Sequence, residues 1–163
     1  MNTQDAIRAT LKTSSVVLTK YLDDLSDADL MLRPGVGCNH IAWQLGHLIT
    51  SENQLLEAVA PGAGIELPAG FLEKHSKERK EDDDPAHFCT KQEYVDLFEQ
   101  MHAATLAAIA KMSDADLDKP APEHFQKMFP TAGHVVILIA THGLMHAGQF
   151  VPVRRKLGKP VVI

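Results

Sequence analysis

Apolar residues recur every three to four positions along four long segments of the chain, which is the spacing of one helix face. In the first segment this stripe consists of Ile7, Leu11, Leu18, Leu22 and Leu25. No segment has the strict alternation of apolar and polar residues that marks a half-buried strand. The pattern therefore predicts an all-α chain with four long helices.

Capping residues and helix breakers predict where the later helices begin and end. The second begins at Asn39, a favoured N-cap type, and stops before a Pro-Gly pair. The third opens with a Thr-x-x-Glu capping box at Thr90. The fourth has Thr131 as its cap and ends near Leu157, before a glycine and a proline. Pro152 lies inside the fourth helix and lacks a backbone donor, so we expect a bend there.

A short internal repeat divides the chain into two related halves. Residues 25–30 (Leu-Ser-Asp-Ala-Asp-Leu) recur as residues 112–117 (Met-Ser-Asp-Ala-Asp-Leu), an offset of 87 positions. The same offset places Gly46-His47 on Gly133-His134. We interpret the halves as two pseudo-repeated helical hairpins that pack as one four-helix bundle. The alternative is that Ser-Asp-x-Asp, a common cap, recurs by chance.

A long crossover joins the two hairpins. Residues 61–89 are rich in glycine, proline and charge, and include the charged run at 78–84. A connection of this length in a compact domain usually serves as a crossover or a lid, and a solvated loop without function is the alternative. With this crossover, residues 1–163 are long enough for a single domain with a sizeable core.

Composition excludes several classes of partner. The net charge of −5 argues against general binding to nucleic acid or to an anionic membrane. No uninterrupted apolar run approaches the roughly 18 residues of a membrane span. Residues 1–5 lack the basic start of a signal peptide, and Cys38 and Cys89 form no redox or zinc-binding spacing. These features predict a cytoplasmic protein with inert cysteines.

Two histidines four residues apart on the fourth helix, His142 and His146, share one helix face and can reach one metal ion. Chance supplies this spacing often, so a third ligand on a facing helix is needed. The second helix offers His40, in its first turn where it can meet water or the chain end, and His47, in its interior. They lie about 10 Å apart along the axis, so one ion cannot use both. His134 is about 12 Å from His142 along the helix and is excluded as a ligand.

The surroundings of these histidines match a known family. The matching segments are Trp43-x-x-Gly46-His47-Leu48, Thr141-His142-x-x-x-His146-x-Gly148-Gln149 and Arg154-Arg155-Lys156-Leu157-Gly158-Lys159-Pro160. With the helix order and the long crossover, this layout resembles the DinB/YfiT-like superfamily of metalloenzymes over nearly the whole chain. The resemblance is to the small damage-inducible, stress-response bundles and not to the DNA polymerase that shares the name.

The resemblance implies a four-helix bundle, often a homodimer, in which His47, His142 and His146 hold a divalent ion. Zinc, nickel or iron(II) suits three neutral imidazoles and leaves a position for water or substrate. We therefore expect a metal-dependent enzyme of hydrolase or thiol-dependent S-transferase type that acts on a small molecule, with a low-molecular-weight thiol as co-substrate in the second case. The alternative is a non-catalytic dimeric bundle with a structural or vestigial metal site.

Three further residues are candidates to orient a metal ligand or to contact substrate. Gln149 lies three residues beyond His146 and could reach the site, or could bond within the bundle instead. His40 is the other polar residue at the start of the second helix. Arg154 belongs to a basic group that either complements the dipole of the fourth helix or anchors an anionic substrate.

Overall fold

Four amphipathic segments form the long helices of the bundle in the computed structural model, which describes residues 1–162. These helices are α1 (Thr3–Leu22), α3 (Ile41–Val59), α5 (Lys91–Ile109) and α8 (Ala132–Lys156). Single-turn helices lie between them: α2 (Asp27–Leu30), α4 (Phe71–Lys74), α6 (Asp114–Leu117) and α7 (Glu123–Gln126). The described residues contain no strand, so the predicted all-α fold is confirmed.

Each long helix contacts two others, and together they close a four-helix bundle. The α1 helix packs against α5 and α8, and α3 packs against the same two helices. The apolar stripe that predicted the first helix is buried at Ile7, Leu11, Leu18 and Leu22. The α1 and α8 backbones approach closely at Gly143, where a side chain would overlap the Ser14 hydroxyl. This arrangement places the interior faces of α3 and α8 opposite each other.

The two repeated hexapeptides adopt the same local structure. Ser26 and Ser113 each cap a single-turn helix, and in both cases an aspartate three residues later completes a capping box. The predicted capping box at Thr90 is also present. The ends of α1 and α5, at Leu22 and Ile109, are separated by the repeat offset of 87 residues. The matching caps and helix ends support two related hairpins.

The start of α3 differs from the prediction. The N-cap is His40 and not Asn39, because His40 Nδ1 accepts a hydrogen bond of 3.0 Å from the Trp43 N–H. The Asn39 carbonyl instead accepts a bond from the Gln44 side chain. His40 is fully buried, and its Nε2 donates to the Asp82 carbonyl of the crossover at 3.0 Å. Of the two partners expected for His40, water and the chain itself, the structure shows the chain, since the crossover covers the ring.

The crossover is ordered against α3. Asn53 bonds the backbone of Ile65 with both ends of its amide, and the Glu57 carboxylate accepts two backbone N–H bonds from the turn after α3. Phe71 is buried in the core. The His75 ring packs directly on Gly46, at a distance that leaves no room for a Cβ atom there. Residues 61–89 are thus anchored to α3 at these points, although most of their side chains are exposed, and a role as a lid stays a prediction.

The α8 helix has the length and composition of a membrane-spanning helix, with a mean hydropathy of 1.4 over 18 residues. Isolated polar residues interrupt the apolar residues of α8, so the sequence contains no unbroken apolar stretch of that length there. The core helix of a soluble protein has the same character, and α8 packs against α1 and α3 inside the bundle. The helix continues through Pro152 to Lys156, and the bend expected at Pro152 stays a prediction.

Arg154 has a structural role at the end of α8. Its side chain is 2 % exposed and forms an ion pair with Asp24, just beyond α1. The guanidinium also donates to the carbonyls of Tyr21 and Pro160. Because these bonds engage the guanidinium between α1 and the C-terminal segment, Arg154 is not placed to anchor a substrate, which corrects that expectation.

Candidate metal centre

Three imidazoles from two facing helices converge inside the bundle. His47 projects from α3, and His142 and His146 project from successive turns of α8. One ring nitrogen from each lies within 4.8 Å of the other two. His142 Nε2 and His146 Nε2 are 3.2 Å apart, so the Nε2 atoms of this pair face each other. The structure thus brings together the three histidines that the sequence had singled out.

A buried glutamine determines which nitrogen of His146 carries the proton. Gln44 is fully buried, and its Nε2 donates to the Asn39 carbonyl at 2.7 Å. The amide orientation this requires turns Oε1 toward His146 Nδ1, 2.8 Å away. Since Oε1 can only accept, Nδ1 of His146 carries the proton and Nε2 has a free lone pair. This is the tautomer a ligand needs, and such outer hydrogen bonds commonly orient metal-binding histidines.

The His47 ring is held by an aromatic neighbour and by the crossover. Trp43 stacks on it at 5.1 Å between ring centroids, with an angle of 7° between the planes. The Trp43 indole N–H donates to the Ser76 carbonyl, so the crossover fixes the indole in turn. Ser51 Oγ lies 3.5 Å from His47 Nδ1, at the limit of a hydrogen bond. These contacts leave the His47 ring half-buried beside the two α8 histidines.

Burial keeps all three rings neutral at physiological pH. Removal from water, reinforced by the neighbouring imidazoles, lowers the pKa of His142 to about 4 and that of His146 to about 3. Burial also lowers the pKa of His47, with a smaller effect from Lys77. A ligating imidazole must be neutral, so the electrostatics favour metal binding over a cluster of charged histidines. The donor set of three neutral nitrogens fits zinc, nickel or iron(II).

The other predicted site residues lie outside this cluster. Gln149 is exposed, and the amide that bonds His146 is that of Gln44. His40 caps α3 and accepts a hydrogen bond from the Trp43 N–H. Its link to the site is through Trp43, which stacks on His47. His134 is exposed and bonds Thr131 at the start of α8, as its exclusion from the ligand set requires.

Sequence reasoning missed two groups of polar residues. Gln44 precedes His47 by three residues on the same face of α3, a spacing that a search limited to histidines passes over. Glu52 and His102 form a second buried polar pair, with side chains 7 % and 9 % exposed. Glu52 lies five residues beyond His47, within the polar run Thr-Ser-Glu-Asn-Gln at residues 50–54, so the sequence carries no signal that it is buried. Nothing in the sequence connects it with His102 on α5.

The chain matches the sequence profile of the DinB superfamily over residues 10–150. It belongs to the DinB superfamily. A solved structure of a conserved protein from Enterococcus faecalis is similar to this DinB chain with a TM-score of 0.76 and 18 % sequence identity. The match covers 98 % of this chain and 99 % of the other, and at this identity it shows the fold alone. No curated protein has significant similarity to the chain. DinB-superfamily proteins commonly bind a metal, in agreement with the three-histidine cluster.

Proposed function

We propose that His47, His142 and His146 hold one divalent metal ion, and that the chain is a metal-dependent enzyme acting on a small molecule. The observation that carries this proposal is the convergence of three neutral imidazoles together with the Gln44 bond that frees His146 Nε2. Zinc, nickel and iron(II) are the candidate ions. A cytoplasmic homodimer is the assembly we expect.

The ligand count favours catalysis over a purely structural metal. Structural zinc sites normally use four protein ligands, whereas catalytic sites use three and leave a position open. Within residues 1–162, no Cys, Asp or Glu joins the three histidines as a fourth ligand. When bound, the ion would lower the pKa of a water or a thiol in the open position, which serves hydrolysis or S-transfer.

The thiol of an S-transferase reaction would come from a second substrate. Burial, reinforced by Glu93, raises the pKa of the Cys89 thiol, so Cys89 is a weak nucleophile. Cys38 is exposed, in the loop between α2 and α3. Hydrolysis of a small molecule and transfer to a low-molecular-weight thiol are therefore the two reactions that the site supports.

Metal analysis of purified variants tests the site. We expect about one ion per wild-type chain after loading with Zn²⁺ or Ni²⁺ and removal of the excess, and a loss of most of it in His47→Ala, His142→Ala and His146→Ala. His134→Ala is the matched control, because His134 is an exposed histidine on α8 outside the cluster. Unchanged metal content in the three variants would contradict the ligand set.

Activity measurements separate the enzyme from the alternative. The metal-loaded protein is assayed with small ester and amide substrates and, separately, with electrophiles plus low-molecular-weight thiols. Turnover that disappears in His146→Ala supports an enzyme. A bound ion that leaves no exchangeable position for water, with no turnover in either assay, would favour the non-catalytic dimeric bundle.

A further inference from the structure

A small cavity with a partly polar lining lies beside the metal centre, between α1, α3, α5 and α8. Its volume is about 10 Å³, the size of one water molecule. Its polar lining consists of Ser14, Glu52, His102 and His142, and the rest is apolar apart from Gly143. An internal water requires about two to four polar partners. The cavity therefore has both the size and the lining for a single water.

His102 is the side chain in this cavity that lacks a partner. It is buried, and neither ring nitrogen makes a hydrogen bond within residues 1–162. The Leu11 carbonyl is near enough to favour a proton on the ring, but it does not reach hydrogen-bond geometry. Leaving a buried polar group unpaired is costly, so a donor or acceptor in the cavity is expected.

Glu52 is positioned to share that partner. Its Oε1 lies 3.9 Å from His102 Nδ1, too far for a direct hydrogen bond and close enough for one water to bond both atoms. The Thr105 hydroxyl donates to the same Oε1 at 2.6 Å and holds the carboxyl in place. Burial raises the pKa of Glu52 to about 7 and lowers that of His102, so both groups favour their neutral forms. Neutral partners lack the charge attraction that would close the gap directly.

The His142 ring needs an acceptor on the side away from the other histidines. Because His146 Nε2 carries no proton, His142 Nε2, 3.2 Å away, donates to it in the metal-free chain. A ligating nitrogen carries no proton, so His142 as a ligand would hold its proton on Nδ1. Within residues 1–162, no protein group makes a hydrogen bond with His142 Nδ1. The His142 ring and Glu52 line the same cavity.

We propose that Glu52 is a positioning residue for the metal centre, and that it acts on His142 through one internal water held by Glu52 and His102. On metal binding, one proton leaves His142 Nε2 for solvent and one enters Nδ1 from solvent through this water, so the ring stays neutral. The Nδ1–H then donates to the water, and the water donates to the Glu52 carboxyl. This inference rests on the proposed function, since it takes His142 as a metal ligand.

The first test is the water itself. A high-resolution crystal structure of the metal-free chain should contain one ordered water within hydrogen-bonding distance of Glu52 and His102. The Glu52→Met variant should lack this water, because methionine has a similar volume and only a weak acceptor. A wild-type cavity without an ordered water would overturn the inference.

The second test is the affinity for Zn²⁺ alone, measured by competition with a chelating dye. Glu52→Met should weaken the affinity about 10- to 100-fold, the usual effect of removing an outer hydrogen-bond partner of a ligating histidine. Glu52→Gln, which retains an acceptor, should bind close to wild type. Leu56→Ala is the control, because it removes a buried side chain one turn away on α3 that does not line the cavity. Equal affinities in Glu52→Met and wild type would overturn the inference.

A third measurement separates this inference from the proposed function. Side-chain ¹⁵N NMR of the metal-free chain reports the protonation of His142 Nδ1 and Nε2 without any metal. We expect a changed Nδ1 signal in Glu52→Met and an unchanged one in Leu56→Ala. If wild type binds no Zn²⁺, the proposed function fails while this signal still decides whether Glu52 reaches His142. An unaltered Nδ1 signal in Glu52→Met would contradict the water-mediated contact.

Discussion

Replacement of Glu52 by glutamine should change how the stability of the fold depends on pH. Burial of Glu52 raises its pKa from the ordinary 4.5 to about 7, and the Thr105 hydroxyl opposes this only in part. The folded chain therefore favours the protonated carboxyl more strongly than the unfolded chain does. The resulting stabilisation is complete below pH 4.5, falls as the pH rises to about 7 and is constant above that.

The magnitude follows from the two pKa values. Each unit of pKa difference corresponds to about 1.4 kcal/mol, so the rise to about 7 represents about 3 kcal/mol. Glutamine occupies nearly the same volume and does not titrate. Relative to Glu52→Gln, wild type should therefore lose about 3 kcal/mol of unfolding free energy between pH 4.5 and pH 7.

Urea denaturation of both proteins, with a chelator present and at a series of pH values from 4 to 8, measures this difference. Titrations of groups distant from Glu52 are common to both proteins and cancel. Glu57→Gln is a control of opposite sign on the same helix, since backbone N–H bonds from Gly62 and Gly64 lower the pKa of Glu57. In that pair, the advantage of wild type should be constant above about pH 4.5 and should begin to be lost only as the pH falls below that value. A constant difference between wild type and Glu52→Gln from pH 4.5 to pH 7 would refute the reasoning.

Two further substitutions, one of them with a matched control, test the support of the metal centre. Gly46→Ala should lower the unfolding free energy by about 1–3 kcal/mol in urea denaturation, because the added methyl overlaps the His75 ring. Gly148→Ala is the control, because it adds a methyl in open space on an exposed helical turn; it should raise the unfolding free energy by up to about 1 kcal/mol. Equal effects of the two substitutions would contradict the close packing at Gly46. Gln44→Met should weaken Zn²⁺ binding about 10- to 100-fold, because the His146 ring loses the acceptor that keeps its proton on Nδ1. An unchanged Zn²⁺ affinity in Gln44→Met would show that this bond does not set the tautomer.

Local interactions in the sequence predicted most of the secondary structure. Helix periodicity, the capping box at Thr90 and the repeated Ser-Asp-x-Asp turns depend on contacts within about four residues, and all of them are present. The N-cap of α3 was misassigned for a reason that is not local. His40 displaces Asn39 as the cap because Asp82, 42 residues away, accepts the proton from its other nitrogen.

The candidate site was predictable to a different extent for each residue. The spacing of His142 and His146 on one helix face is local, and it paired them from the sequence. His47 was selected because a polar ring in an apolar helix interior needs a partner, and because of the family resemblance. Gln149 was chosen by the same spacing argument, but it faces solvent, and Gln44 from the opposite helix occupies that role.

The sequence by itself determined four helices, the N-caps of the third and fourth, the duplicated turn and a pair of histidines on one face. Only the tertiary structure decided that Gln44 frees His146 Nε2, that Arg154 pairs with Asp24, and that Glu52 meets His102 across a water-sized cavity. The physical reason is the range of the interactions involved. Helix formation and capping are decided within one or two turns, whereas the tautomer, pairing and pKa of a buried group depend on which faces of distant helices pack together.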